Sequence, residues 1–157
     1  MNRVKSVILL TLLSVILMAI GGAFGGRSGA FTMLLVSFGI NFITYWNCDK
    51  IALAQYDAKY VSPQDVPELY DLVGKLCQNA KIPMPKLYVI PTDVPNAFAT
   101  GRNVNHAAVA ITEGLLSRLN KDELAGVISH ELSHIRHHDT LIMTLAASIA
   151  SAIGYIA

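Results

Sequence analysis

Two uncharged runs, parted by a single arginine, limit what the first third of this 157-residue chain can become. Between Lys5 and Arg27 stands SVILLTLLSVILMAIGGAFGG, and between Arg27 and Asp49 stands SGAFTMLLVSFGINFITYWNC. Each is as long as the roughly 20 residues an α-helix needs to cross the hydrocarbon core of a bilayer. Gly21, Gly22, Gly25 and Gly26, beside Arg27 and Ser28, suit a tight turn. Tyr45 and Trp46 stand where interfacial aromatic side chains collect. The expectation is a transmembrane helical hairpin over residues 1–49.

Flanking charge orients it. Arg3 and Lys5 precede the hairpin, Lys50 and Lys59 follow it, and Arg27 stands alone in the turn. An excess of basic residues marks the cytoplasmic side, so both ends are expected there. The competing reading of the first run is a cleaved signal peptide with Arg3 and Lys5 as its basic start. The long apolar stretch and the second run directly behind it favour the hairpin.

Composition agrees: 53% of the residues are hydrophobic and only 15% charged, where soluble domains carry about a quarter charged residues. A net charge of +1 without any basic stripe gives no sign of a nucleic-acid partner, and none is expected. Cys48 and Cys77 form no C-x-x-C pair and read as unpaired thiols of a reducing compartment.

A third uncharged run, TLIMTLAASIASAIGYIA, occupies residues 140–157. Its Ala146, Ala150 and Gly154 are spaced by four, the pattern that lets membrane helices approach closely. It reads as a third transmembrane helix, with a buried helix of a soluble core as the alternative.

The polar middle, residues 50–139, reads as a globular α+β segment. VPELYDLVGKLCQNAKI places Leu69, Leu72, Val73 and Leu76 on one helical face, with Pro67 suited to the first turn. Leu87–Ile90 and Ala107–Thr112 read as short strands, and Ala97–Thr100 between them is compatible with an extended segment. LNKDELAGVISHELSHIRHH is the clearest helix. Asn120 suits its N-cap, Glu123 completes a capping box, and Leu124, Val127, Ile128 and Ile135 form its apolar stripe.

That helix carries His130-Glu131-Leu132-Ser133-His134, an H-E-x-x-H. Two histidines four apart project from one side of a helix and can jointly hold one zinc ion. Glu131, one residue round, is placed to act as general base toward a zinc-bound water and then as acid toward the leaving amine. Glu131 also falls in the middle of the apolar stripe, where leucine or isoleucine would otherwise be expected. An unpaired buried carboxylate costs several kcal/mol, so this position points to chemistry rather than packing. A zincin edge strand would bind the substrate by backbone hydrogen bonds.

The remaining histidines rank lower. His138 lies about 12 Å along the helix axis from His130, so His137 and His138 read as exposed helix-end residues. Asp139 is expected to point away from the metal face and to cap or pair locally. His106 reads as a loop histidine.

PNAFATGRNVNHAAVAITEGLL (Pro95–Leu116) followed by DELAGVISHELSHIRHHD (Asp122–Asp139) resembles the HtpX-type membrane zinc proteases of bacterial membrane-protein quality control. The resemblance implies a zincin-like protease domain, facing the cytoplasm and anchored in the inner membrane by several spans. It implies a zinc endopeptidase that cleaves misfolded or damaged membrane proteins. His130 and His134 correspond to the family's zinc ligands and Glu131 to its catalytic glutamate. Asn96 and Ala97 match the segment beside the cleft and are expected to contact substrate. The implied partners are membrane-protein or peptide substrates and the lipid bilayer, with homo-oligomerisation left open. Family members continue through another membrane region to a glutamate that is the third zinc ligand. On this resemblance the chain is expected to be the N-terminal portion of such a protease, truncated in the third hydrophobic helix. Glu113 is an alternative third ligand on sequence order alone, although it matches none in the family. The runner-up function is a non-catalytic membrane module that keeps the protease fold; a soluble zinc hydrolase with a signal peptide is the third reading.

Overall fold

The computed structural model describes residues 2–137, 139, 140 and 143. The third hydrophobic run, apart from Thr140 and Met143, and His138 lie outside these residues. The chain divides into two compact units, Met1–Asn47 and Cys48–Ala157.

The first unit is α1 (Asn2–Trp46), a helical segment interrupted at Gly26, whose φ of 56° and ψ of −144° are not helical. Glycine reaches this conformation without the Cβ clash that other residues meet. Asn41 donates to the Leu10 carbonyl at 3.3 Å and to Ser14 Oγ at 2.8 Å. A Cβ on Gly29 would collide with the Gly21 carbonyl. The segments on either side of Gly26 therefore touch, polar at one level and backbone to backbone at another. Large apolar side chains face outward, among them Val7, Phe24, Phe38 and Phe42. From Val7 to Trp46, α1 is long and apolar enough to cross a membrane, by length and composition.

The second unit is a mixed α+β fold. Its elements are α2 (Cys48–Gln55), β1 (Lys59–Tyr60), α3 (Pro67–Ala80), β2 (Lys86–Ile90), β3 (Ala97–Gly101), β4 (Ala107–Thr112), α4 (Glu113–Arg118) and α5 (Lys121–Arg136). The sheet runs β1-β2-β4-β3. β2 and β4 are parallel, while β1 and β3 are antiparallel to their neighbours. β4 is central and every one of its residues is buried, which explains the unbroken AAVAI run: a strand covered on both faces has no polar face to alternate.

One face of the sheet packs on α3, α4 and α5. Val73, Leu87, Val109, Ile111, Ile128 and Leu132 are essentially inaccessible there. The other face is thinner. Leu53 of α2 packs on Ala108, Ala110 and Ile90, with Tyr88 and Phe98 alongside. Alanines at 108 and 110 leave room for a short helix to lie close to the strands.

Three elements were not expected from the sequence: α2, α4 and the two-residue β1. Ala97–Gly101 is a full edge strand. Cys48 and Cys77 are both free and buried.

Candidate active site

α5 starts as its sequence requires. Asn120 Oδ1 accepts from the N–H groups of Asp122 and Glu123, both at 3.0 Å, and Glu123 Oε2 accepts from Asn120 N–H at 2.9 Å. This reciprocal cap fixes the helix register. Leu124, Ile128, Leu132 and Ile135 then turn toward the core. His130 is exposed and His134 half-buried beside this face, with Ser133 Oγ donating to the His130 carbonyl at 2.6 Å.

The two imidazoles converge. Their Nε2 atoms are 3.3 Å apart and the rings meet edge to face at 84°. Two nitrogens each 2.0–2.1 Å from one tetrahedral zinc would be separated by about 3.3 Å. The histidine pair therefore fits one zinc ion as two of its ligands. Among the described residues, no group of three or more His, Cys, Asp or Glu side chains gathers into a complete metal site. Glu113, the alternative third ligand, is the exposed first residue of α4.

Glu131 is buried, with 9% of its surface exposed. Its Oε2 accepts a hydrogen bond of 3.0 Å from the backbone N–H of Ala99 on β3. The placement in the apolar stripe is thus real, and part of the desolvation cost is offset by a strand N–H that the sequence did not reveal.

β3 is the sheet edge, and its register explains why Ala99 is available. Ala97, Ala99 and Gly101 stand opposite Ile111, Val109 and Ala107. Thr112 N–H donates to the Asn96 carbonyl at 3.0 Å, so the even-numbered residues pair with β4 and the odd-numbered ones turn their backbone groups outward. Ala99 uses its outward N–H on Glu131. Gly101 uses its outward carbonyl to accept from Thr140 Oγ1 at 2.7 Å. Ala97 carries the next outward-facing pair. Asn96 is exposed, and its N–H donates to Thr112 Oγ1 at 2.8 Å. Asn96, Phe98 and Ala99 line a cavity of about 150 Å³ together with Ala52, Tyr56 and Met143. The structure thus brings the Asn96–Ala97 segment and Glu131 to the same strand.

One expectation is overturned. Asp139 does not point away from the histidines: its Oδ2 lies 3.5 Å from Nδ1 of His134. A helical wheel extended to Asp139 fails because α5 ends at Arg136, and His137 caps it with φ −85° and ψ 1°. Asp139 N–H donates to the His134 carbonyl at 3.0 Å. His137 is exposed, with Nδ1 2.7 Å from the Ser133 carbonyl. His106 ends a short 3₁₀ turn, 3.0 Å from Asn103 Oδ1.

The capped helix thus presents two convergent histidines and, one residue round, a buried glutamate docked on a sheet edge. Residues 63–157 match the family model of peptidase family M48, and the chain belongs to that family. Its relatives include proteins named Protease HtpX homolog, so the HtpX-type resemblance extends over essentially the whole chain. The protein of Desulfatibacillum aliphaticivorans is 51% identical over 156 residues, covering 99% of this chain and 50% of the relative. That of Thermodesulfovibrio yellowstonii is 48% identical, covering 100% of this chain and 56% of the relative. That of Pelotomaculum thermopropionicum is 51% identical, covering 99% and 56%. The chain spans about half the length of these relatives.

Proposed function

We propose that this chain carries the zinc-binding helix and substrate strand of a membrane-anchored endopeptidase that cleaves misfolded or damaged membrane proteins. The observation that carries this reading is the 3.3 Å approach of His130 and His134 Nε2 beside the tethered carboxylate of Glu131. His130 and His134 would hold the zinc ion. Bound there, zinc supplies Lewis acidity toward water and the scissile carbonyl. Glu131 takes the proton from the attacking water and passes it to the leaving amine. Its bond to Ala99 N–H fixes the carboxylate relative to β3. An extended peptide adds to the β3 edge beside Ala97, with Asn96 at the rim, through backbone hydrogen bonds.

The membrane part of the reading rests on α1. Its two segments, joined at Gly26, form a transmembrane hairpin whose outward apolar side chains meet lipid. Asn41 and Ser14 provide the interhelical hydrogen bond that membrane helices use in place of hydrophobic association. Lys50 and Lys59, just beyond the hairpin, support a cytoplasmic protease domain at the bacterial inner membrane.

The test is zinc content and peptide cleavage of detergent-purified protein, compared across Glu131→Gln, His130→Ala and His134→Ala. Glu131→Gln should keep its zinc and lose cleavage by about 10²–10⁴-fold, and either histidine variant should lose the metal. Zinc retained in both histidine variants, or cleavage unchanged by Glu131→Gln, would overturn the proposal.

A further inference from the structure

Resting on the reading of His130 and His134 as metal ligands, we propose that Asp139 is a positioning residue for the metal site. Its carboxylate holds the Nδ1 side of the His134 ring, so that Nε2 faces His130.

The distance alone, 3.5 Å between Asp139 Oδ2 and His134 Nδ1, would describe many surface ion pairs of little consequence. This one differs in how its carboxylate is held. The Asp139 N–H donates to the His134 carbonyl at 3.0 Å, and its own carbonyl accepts from Met143 N–H at 3.2 Å. The next residue, Thr140, is 2% exposed and donates through Oγ1 to the Gly101 carbonyl at 2.7 Å. The backbone carrying the carboxylate is thus fastened both to α5 and to β3. The side chains of His134 and Asp139 are only 25% and 30% exposed.

The chemistry follows from the imidazole. A neutral ring has one N–H and one lone pair, and a carboxylate at Nδ1 draws the proton to that nitrogen. The Nε2 lone pair is then left for the metal, and an outer carboxylate of this kind fixes the orientation of the liganding ring. In the metal-free protein the same tautomer leaves His134 Nε2 as the acceptor and His130 Nε2–H as the donor across their 3.3 Å contact. The two histidines are thereby assigned unequal roles, although the sequence motif presents them as equivalent.

The test uses the whole chain in detergent, with ¹⁵N-labelled histidine. In metal-free wild type, His134 should carry its proton on Nδ1; in Asp139→Ala the proton should move to Nε2. Zinc affinity, read by competition with a chromophoric chelator, should fall about 10–100-fold in Asp139→Ala and recover in part in Asp139→Glu. A His134 ring protonated on Nε2 in wild type, or an affinity within twofold of wild type in Asp139→Ala, would overturn the role. Should Asp139→Ala fail to fold, Asp139→Leu keeps the bulk and removes every acceptor; an unchanged affinity there is equally fatal. Wild type that takes up no zinc overturns the metal-centre reading itself, and the metal-free tautomer then decides on Asp139 alone.

Discussion

Glu131 Oε2 accepts the backbone N–H of Ala99 at 3.0 Å, so α5 and the edge strand are joined at the proposed catalytic carboxylate itself. A backbone N–H buried by that contact needs an acceptor whether or not any reaction occurs. Replacing Glu131 by Ala should therefore destabilise the metal-free protein by about 1–3 kcal/mol. Glu131→Gln, which keeps an acceptor oxygen, should cost much less. Denaturant titration of the two variants separates this structural role from the chemical one, and equal stabilities would show that the hydrogen bond contributes nothing.

Leu132, the neighbour of Glu131 inside the motif, is 1% exposed and packs into the main core. Leu132→Ala should cost about 2–5 kcal/mol through lost transfer energy and an unfilled cavity. A cost under 1 kcal/mol would mean that the core between α5 and the sheet is looser than described.

The capping box at Asn120 gives a smaller effect with a different signature. Asn120→Ala leaves the Asp122 and Glu123 N–H groups without their acceptor and should reduce stability by about 1 kcal/mol. The His130–His134 geometry, more than two turns away, should survive, so zinc content at low temperature should be unchanged.

Gly114, on α4, lies hard against the backbone of the segment that follows β2. Its N–H donates to the Thr92 carbonyl at 2.9 Å, and a Cβ there would collide with the backbone of Asp93. Gly114→Ala forces the backbone to shift and should destabilise by about 1–3 kcal/mol. Gly126 on α5, where a Cβ meets open space, is the control. Gly126→Ala should be stabilising by about 0.5–1 kcal/mol through helix propensity.

Burial raises the pKa of Cys77 above its ordinary value of 9.0. The thiol proton is released more readily by the unfolded chain than by the folded one, so the native state binds more protons in alkali. This contribution to stability is complete below the unfolded thiol value and is lost as pH rises past it toward the folded value. Denaturant midpoints between pH 8 and 10 should fall more steeply in wild type than in Cys77→Ala. Iodoacetamide should label Cys77 slowly in the folded protein and quickly in urea.

Local signals in the sequence predicted well where the fold obeys them. The Asn120 cap, the limits of β4 and the stripe around Glu131 all follow from side-chain chemistry within a few residues. The missing elements depend on distant partners. β1 is two residues long and exists only because Lys59 and Tyr60 pair with Val89 and Tyr88. The parallel pairing of β2 with β4 passes over β3, and no local pattern encodes it. That Ala108 and Ala110 are small because α2 packs on them is likewise not visible in the strand's own sequence. Within the site, the spacing of His130 and His134 was legible, but the bond from Glu131 to Ala99 spans 32 positions. Asp139 lies beyond the last residue of α5, where a helical wheel stops being valid.

The outward groups of β3 have a consequence for the protein among copies of itself. An uncovered sheet edge offers unpaired N–H and C=O groups on which another molecule can build, and it is a common seed of aggregation. Here the edge is occupied from within, at Ala99 by Glu131 and at Gly101 by Thr140. Of these outward positions, Ala97 stays open, at the stretch where the substrate peptide is proposed to add. Two of the three outward positions of β3 thus each have one backbone group withdrawn from pairing with other copies.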